Sequence, residues 1–325
     1  MIKRVLIKPL EPLMFRSQGE FEPLITGSHT AAQSLIIPRP STIAGMLGYI
    51  LFNKSSGTGD WLSDLTNLLG TIYGTFIETN GEYLFPLRMG NHLALVDQQH
   101  LINLPILLEK EYEQREKGIY ELFYDKNKLF QIINHQDRIG ISIDKSTRTV
   151  KEHYLYSARY LAFKKEVNYV IFIDNDAISD KIDKINGKIV NFGGENRIAK
   201  LEVDDYKVDT SIEEEYYLTL SPILIPDEAL DDLLDNISDY VTMGKVDKIS
   251  LGFDIANTKR KEMLTAILEG SIVKRSIIDF IKKEIDNNSL DRFTKYEKIG
   301  YNTLMNLSKL AFRKILSYSS YGTLT

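Results

Sequence analysis

An arginine bracketed by two prolines and followed by two hydroxyl residues is the pattern in this chain with the clearest chemistry. Within Ser34–Phe52 the apolar Leu35, Ile36 and Ile37 stop at Pro38-Arg39-Pro40. The prolines hold the backbone extended and remove two donors, so Arg39 cannot lie inside a helix. Ser41 and Thr42 are good N-cap residues, and Ile43, Leu47, Ile50 and Leu51 recur with helical period, which predicts a helix over 41–52. The free N–H groups of its first turn, beside Arg39, are a natural seat for a phosphate. Gly45 and Gly48 each cost a helix about 1 kcal/mol against alanine. Their presence suggests that something approaches the helix backbone closely; the plain alternative is a helix packed tightly on a sheet.

A second cluster is basic and aromatic. Residues 138–163 read RIGISIDKSTRTVKEHYLYSARYLAF. Ile139, Ile141 and Ile143 alternate, a turn follows at Asp144–Ser146, and the chain resumes over Thr147–Val150. This is a hairpin carrying Arg138, Lys145, Arg148 and Lys151. Tyr154, Tyr156 and Tyr160 follow on an alternating strand, where they either stack on bases or pack in a sheet core. The loop FRSQGEFEPLITGSH offers Arg16, Ser28 and His29 as contacts. The turn FGGENR, residues 192–197, lacks the lysine and threonine of a phosphate loop.

Catalytic patterns are thin. The five histidines (His29, His92, His100, His135 and His153) are never spaced i, i+4, and no glycine-flanked serine elbow occurs. With no cysteine, thiolate zinc sites and cysteine nucleophiles are excluded. The acidic runs lack defined ligand spacing and read as solvated faces, so neither a metal nor another cofactor is expected. His29, His135 or His153 could still act as a general base on a ribose 2′-hydroxyl.

Charge points to a polyanion on one face. The 325-residue chain has a formal charge of −5, but its distribution is uneven. From Glu202 to Asp239 there are thirteen acids and one lysine, net −12. From Arg138 to Lys165 there are seven bases and two acids, net +5, and from Lys245 to Lys283 nine bases and five acids, net +4. Basic stripes on an acidic chain concentrate attraction for nucleic acid locally. The start MIKRVLIKPL reads as a strand and no run of eighteen apolar residues exists, so a cytoplasmic setting with no membrane contact is expected.

The elements that must carry these residues alternate. Strand 2–8, helix 41–52 and a helix capped by Asp60 come first. A hairpin about Asn80-Gly81, an exposed spur over 108–118 and a buried strand over 167–173 follow. Asn186-Gly187 predicts a hairpin into 189–192, before a strand over 198–203. Further strands are expected over 214–220, 251–255 and 263–272, with an acidic helix from Pro226, a helix over 276–285 and a last strand from Tyr301. The fold class is α+β, and two copies of a helix-on-sheet unit are the economical architecture, divided as 1–205 and 206–325.

Taken together, EPLMFRSQGEF, PRPSTIAGMLGYIL, RIGISIDKSTRTVKEHYLYSARYL, NFGGENRIAKLE and KISLGFDIANTKRKEMLTAILEGSIV resemble, in order, the segments of the RAMP proteins. Within them the resemblance is to subunit three of the type III-B CRISPR effector (Cmr) complex. It implies tandem ferredoxin-like, RRM-like domains with inserted hairpins and loops. It implies a non-catalytic subunit that holds the 5′ handle of the guide RNA and contacts the large polymerase-like subunit, with neighbouring RAMP backbone subunits and, indirectly, target RNA as further partners. Carried over, Arg16, Arg39, Ser41 and Thr42 would meet handle phosphates. Arg138, Lys145 and Arg148 would lie on a thumb along the guide–target duplex. Gly193, Gly194 and Arg197 would form a loop against the RNA backbone, with Lys259 and Arg260 as further contacts. Asn196 stands where the family has glycine, and Gly300-Tyr301-Asn302 replaces its C-terminal glycine pair. The alternative function is a metal-independent endoribonuclease that processes repeat RNA.

Overall fold

Strand β1 (Ile2–Pro9) bonds antiparallel to a partner on each side, and this placement organises the first half of the chain. The computed structural model describes residues 2–16, 31–32, 34–51, 60–143, 146–147, 149–174, 179–207, 214–254, 259–288, 290–308 and 311–316. After β1 come β2 (Ala31–Ala32), α1 (Pro40–Leu51), α2 (Trp61–Leu69), β3 (Thr71–Thr79), β4 (Glu82–Met89) and β5 (His92–Asp97). The helical stretch is α3 (Gln98–Leu101), α4 (Leu104–Leu108), α5 (Tyr112–Tyr120), a π-helical turn Glu121–Asp125 and α6 (Leu129–Ile132). Then follow β6 (Ile133–Ile143), β7 (Val150–Phe163), β8 (Asn168–Asp174), α7 (Ser179–Asp183), β9 (Ile189–Asn191) and β10 (Ile198–Tyr206). One antiparallel sheet has the order β5-β4-β3-β8-β1-β10-β9. β6 and β7 form a long separate hairpin arm, with β2 parallel to β7 at its base.

The second half repeats that logic. It comprises β11 (Tyr216–Thr219), β12 (Ile223–Ile225), a 3-10 turn Asp227–Ala229, α8 (Leu230–Asp235), α9 (Ile237–Tyr240), β13 (Val241–Met243) and β14 (Val246–Ser250). It continues with β15 (Phe253–Asp254), β16 (Lys259–Arg260), β17 (Met263–Ile267), β18 (Ile272–Lys274), α10 (Ser276–Asn288), α11 (Asp291–Lys298), β19 (Thr303–Asn306) and β20 (Phe312–Lys314). Its main sheet runs β13-β18-β11-β19-β20, beside a three-stranded sheet β12-β17-β14. Four consecutive strands of each main sheet, β3-β8-β1-β10 and β13-β18-β11-β19, share one order: second, third, first, fourth. Every sheet among the described residues lies wholly before Lys207 or after Glu215.

Burial explains why the strands form where they do. Along β8, Tyr169, Ile171 and Ile173 enter one core while Val170 and Phe172 enter another. A strand covered on both faces reads as a continuous apolar run, as VNYVIFI does. The first core lies under α1 and α2 and continues into α10 and α11; the second joins Phe76 and Phe172 to Phe312, with ring centroids 5.8 and 5.2 Å apart. Both cores therefore draw residues from both halves.

Several expectations shift in detail. α1 begins at Pro40, with the Thr42 amide donating to the Arg39 carbonyl at 2.9 Å. Proline at the first helical position is preorganised and lacks a donor that would go unused there, so Arg39, not Ser41 or Thr42, precedes the helix. Gly48 is explained internally, since a Cβ there would sit 2.2 Å from Leu65 Cδ2 of α2, whereas Gly45 faces open space. Asn186-Gly187 ends the α7 turn instead of closing a hairpin, because Ile182 and Ile185, three apart, are both buried. The stretch 263–272 is split into β17 and β18 by a turn at Glu269-Gly270. The basic segment makes a single hairpin whose return strand runs from Val150 to Phe163.

Candidate nucleic-acid interface

The residues singled out by sequence fall into two places joined by the segment Ser34–Pro38. At the first, α1 begins at the junction of the two halves. Arg39 Nη1 donates to Glu269 Oε2 at 2.5 Å. Arg88 of β4 donates through Nη2 to Glu269 Oε1 and through Nε to the Glu269 carbonyl, both at 2.8 Å. The side chains of Arg39, Arg88 and Glu269 are 13%, 10% and 4% exposed. This is a buried triad with net charge +1, in which Glu269 satisfies two cations at once. Ser41 Oγ accepts from the buried Tyr301 hydroxyl at 3.3 Å, and burial raises the Tyr301 pKa. Thr42 is half-buried beside it. The Arg39 side chain is thus partly committed to a carboxylate, and the seat has a neighbour from each half.

Arg88 and Glu269 were not legible as partners, being 181 residues apart. The available signal was the arginine itself, set in the otherwise apolar strand EYLFPLRM. A charge there is retained only when paired.

The second place is the base of the hairpin arm. Leu13 bridges Leu161, Arg16 bridges Ser34, and the Phe15 amide donates to Ser34 Oγ at 2.9 Å. The turn after Phe192 is clamped onto this segment. The Gly194 amide donates to the Met14 carbonyl at 2.8 Å, and a Cβ on Gly193, whose φ is +90°, would lie 2.6 Å from that carbonyl oxygen. Glu195 and Asn196 follow with φ of 59° and 53°. Two successive left-handed residues define a type I′ turn, and asparagine is among the few side chains that tolerate it. Asn196 therefore does the work of the family's glycine. The glycines have reasons inside the fold, and the Gly194 amide is already used. Gly193→Ala is expected to lose about 1–3 kcal/mol of stability in urea unfolding, because the added carbon meets backbone oxygen. A loss below about 0.5 kcal/mol would show that the clamp yields freely.

Three arginines converge here. Arg197 Nη1 donates to Glu11 Oε2 at 2.6 Å, and its guanidinium carbon lies 4.7 Å from the centre of the Tyr160 ring. The Arg138 guanidinium lies 4.9 Å from the same ring. The Tyr160 hydroxyl, then Glu11, raise the Arg197 pKa against the opposing effect of burial, and Arg197 holds the Glu11 carboxyl below its usual range. Arg16, more than half exposed, pairs with Glu195 at 3.2 Å. Tyr160 is buried and carries cations on its ring, so it is a seat for arginine and not an open base platform. Arg159 is neutralised by Asp137 at 2.7 Å.

The other expected contacts are less defined. Lys145, Arg148, Ser28 and His29 lie outside the described residues. Lys259 and Arg260 form β16 against Phe253–Asp254, and Tyr154, Tyr156 and His153 lie on β7. Lys261 Nζ stands 3.3 Å from the Trp61 ring centre, tying that loop to α2. His135 is exposed on β6. Among the described residues no group of three or more His, Asp or Glu is placed to hold a metal ion, and no helix is long and apolar enough to cross a membrane.

An α+β chain with two like-ordered antiparallel sheets and an arginine-bearing arm is the setting in which the comparisons fall. They define a class first, the CRISPR-associated proteins. The sequence model described as CRISPR-associated protein (Cas_Cmr3) matches residues 5–123 and 106–309. The chain belongs to the Cas_Cmr3 family. It is 98% identical over 317 residues, 98% of this chain and all of the relative, to the CRISPR system CMR subunit Cmr3 of Saccharolobus solfataricus. It also matches chains in two cryo-EM structures of the type III-B Cmr-beta complex, each covering 97% of this chain and all of that one. In the complex bound to cognate target RNA and AMPPnP, TM-score is 0.89 at 91% identity. In the complex bound to cognate target RNA, TM-score is 0.89 at 94% identity.

Proposed function

We propose that this chain is a non-catalytic RNA-binding subunit of a type III-B CRISPR effector, acting in the cytoplasm. It holds the 5′ handle of the guide RNA and contacts the large polymerase-like subunit and neighbouring RAMP backbone subunits, meeting target RNA indirectly. Its two parts, 1–205 and 206–325, are tandem ferredoxin-like domains. The shared order of β3-β8-β1-β10 and β13-β18-β11-β19 supports that reading, because a βαββαβ unit with its third strand beside its first has this order.

The observation that carries the proposal is the gathering of Arg16, Arg138 and Arg197 at the root of a basic arm, on a chain that is otherwise acidic. Guanidinium groups suit phosphate geometry and give affinity without sequence readout. Arg39, Ser41 and Thr42 at the junction, Gly193 and Gly194 in the clamped turn, and Lys145, Arg148, Lys259 and Arg260 complete the assigned surface. Similarity to chains of the RNA-bound Cmr-beta complexes favours the same role.

Arg138→Ala combined with Arg148→Ala is expected to weaken guide-RNA binding at least fivefold. The slope of log K against log salt should become shallower by about 0.7–0.9 for each phosphate that is no longer neutralised. Filter binding across a salt series reads both. Unchanged affinity and slope, with the circular dichroism spectrum intact, would refute the assignment. Incubation with labelled repeat RNA in EDTA tests the enzyme reading: cleavage abolished by His135→Ala would replace the scaffold role with an endoribonuclease.

A further inference from the structure

Arg88 and Glu269 are buried charges to which the RNA-binding reading gives no part. Arg88 spends the whole Nε–Nη2 edge of its guanidinium on Glu269, one bond to the carbonyl and one to the carboxylate. Its amide also donates to the Gly270 carbonyl at 2.7 Å, and the Gly270 amide donates to the Thr219 carbonyl at 2.7 Å. Gly270 has a φ of +85°, and a Cβ there would lie 3.0 Å from the Arg88 amide nitrogen, so the turn is pressed onto β4. Glu269 is therefore fixed by contacts that do not involve Arg39.

Arg39 spends much less of itself. Only its Nη1 donates to Glu269. Its Nε and Nη2 have no partner among the described residues, and neither atom is sealed from solvent. These two atoms form the edge of a guanidinium that can span two phosphate oxygens in parallel. The carboxylate holds the group in one orientation, and Pro40 confines the Arg39 backbone to extended conformations. A donor fork fixed in advance loses little freedom when it meets its ligand. Asp247, the other acid whose charge Arg39 meets, is paired with Lys245 at 2.6 Å. The triad keeps a net charge of +1, which one phosphate diester neutralises.

We propose that Glu269 and Arg88 are positioning residues: Arg88 clamps Glu269, and Glu269 holds Arg39 with its Nε–Nη2 edge turned to a phosphate diester of the guide RNA. This rests on reading Arg39 as a handle contact. The test turns on the sign of one effect. If charge alone acts, removing a carboxylate beside the site strengthens RNA binding; if positioning acts, it weakens binding. In filter binding of labelled guide RNA to the full chain, Glu269→Gln is expected to weaken affinity about fivefold although it adds one unit of positive charge. In an Arg39→Ala background the same change is expected to alter affinity by less than about twofold, because its effect passes through Arg39. Arg88→Lys keeps the charge but cannot span the carbonyl and the carboxylate, so it should also weaken binding. It decides the question by the same criteria if Glu269→Gln loses the native circular dichroism spectrum. Affinity equal to or above wild type in Glu269→Gln, or a loss that persists in the Arg39→Ala background, would overturn the proposal and leave the handle contact standing. Unchanged binding by Arg39→Ala alone would overturn both.

Discussion

Glu269→Ala is expected to cost about 3–5 kcal/mol of unfolding free energy, the range for removing one partner of a buried ion pair. The loss is large because one carboxylate serves two guanidinium groups, Arg39 and Arg88, that are almost wholly out of water. Without it, two like charges face each other in the junction between the halves. Glu269→Gln retains the shape and one acceptor, so it should fall between wild type and alanine. Replacing all three residues by Met, Leu and Met removes both the desolvation cost and the pairing, and this change is expected to be near neutral for stability. Urea unfolding at fixed pH separates the three variants. A deficit below about 1 kcal/mol for alanine would mean that water already screens the triad and that it does not tie the halves.

Lys314→Met is expected to stabilise the protein at acid pH and destabilise it at alkaline pH, with the two curves crossing near pH 9. Lys314 is fully buried, its Nζ donating to the Tyr301 carbonyl at 2.8 Å and to Thr303 Oγ1 at 2.6 Å. Both acceptors are neutral, so burial lowers its pKa from 10.5 to about 7, against a smaller upward pull from Glu297. Between these values the unfolded chain binds more protons than the native one, so stability rises with pH across that window. Below about pH 7 both states hold the proton and the cost of burying the charge is fully present. At about 1.36 kcal/mol per pKa unit, that cost is about 5 kcal/mol. Methionine removes it but forfeits two hydrogen bonds of about 1 kcal/mol each. The net is a gain of about 3 kcal/mol at pH 6 and a loss of about 2 kcal/mol above pH 10. Parallel stability curves for the two proteins from pH 6 to 10 would contradict the assignment of Lys314 as a buried neutral amine.

Local signals carried much of the fold. Asp60 caps α2 through the Leu62 amide, and Asn80-Gly81 turns β3 into β4, because these devices act within three or four residues. The α1 periodicity matches its burial, with Ile43 and Leu47 fully covered, while the helix starts one residue earlier, at Pro40. β15 fell inside the strand expected over 251–255, but β16 in the basic loop and the break at Glu269-Gly270 left no pattern to read. For the interface, the arginines were legible by type and by family resemblance. Their ties to Glu11, Glu195 and Glu269 were not.

The residue order alone determined the α+β class, the apolar strands buried on both faces, the α1 helix to within one residue of its start and membership of the Cas_Cmr3 family. Those properties follow from spacing over a few residues, which chain connectivity preserves. The three-dimensional structure decided which charges meet: Arg39 with Glu269 across 230 residues, Arg197 with Glu11 across 186, and Arg16 with Glu195 across 179. Pairing between charges depends on distance in space, and nothing in linear spacing encodes that distance until the sheets have closed.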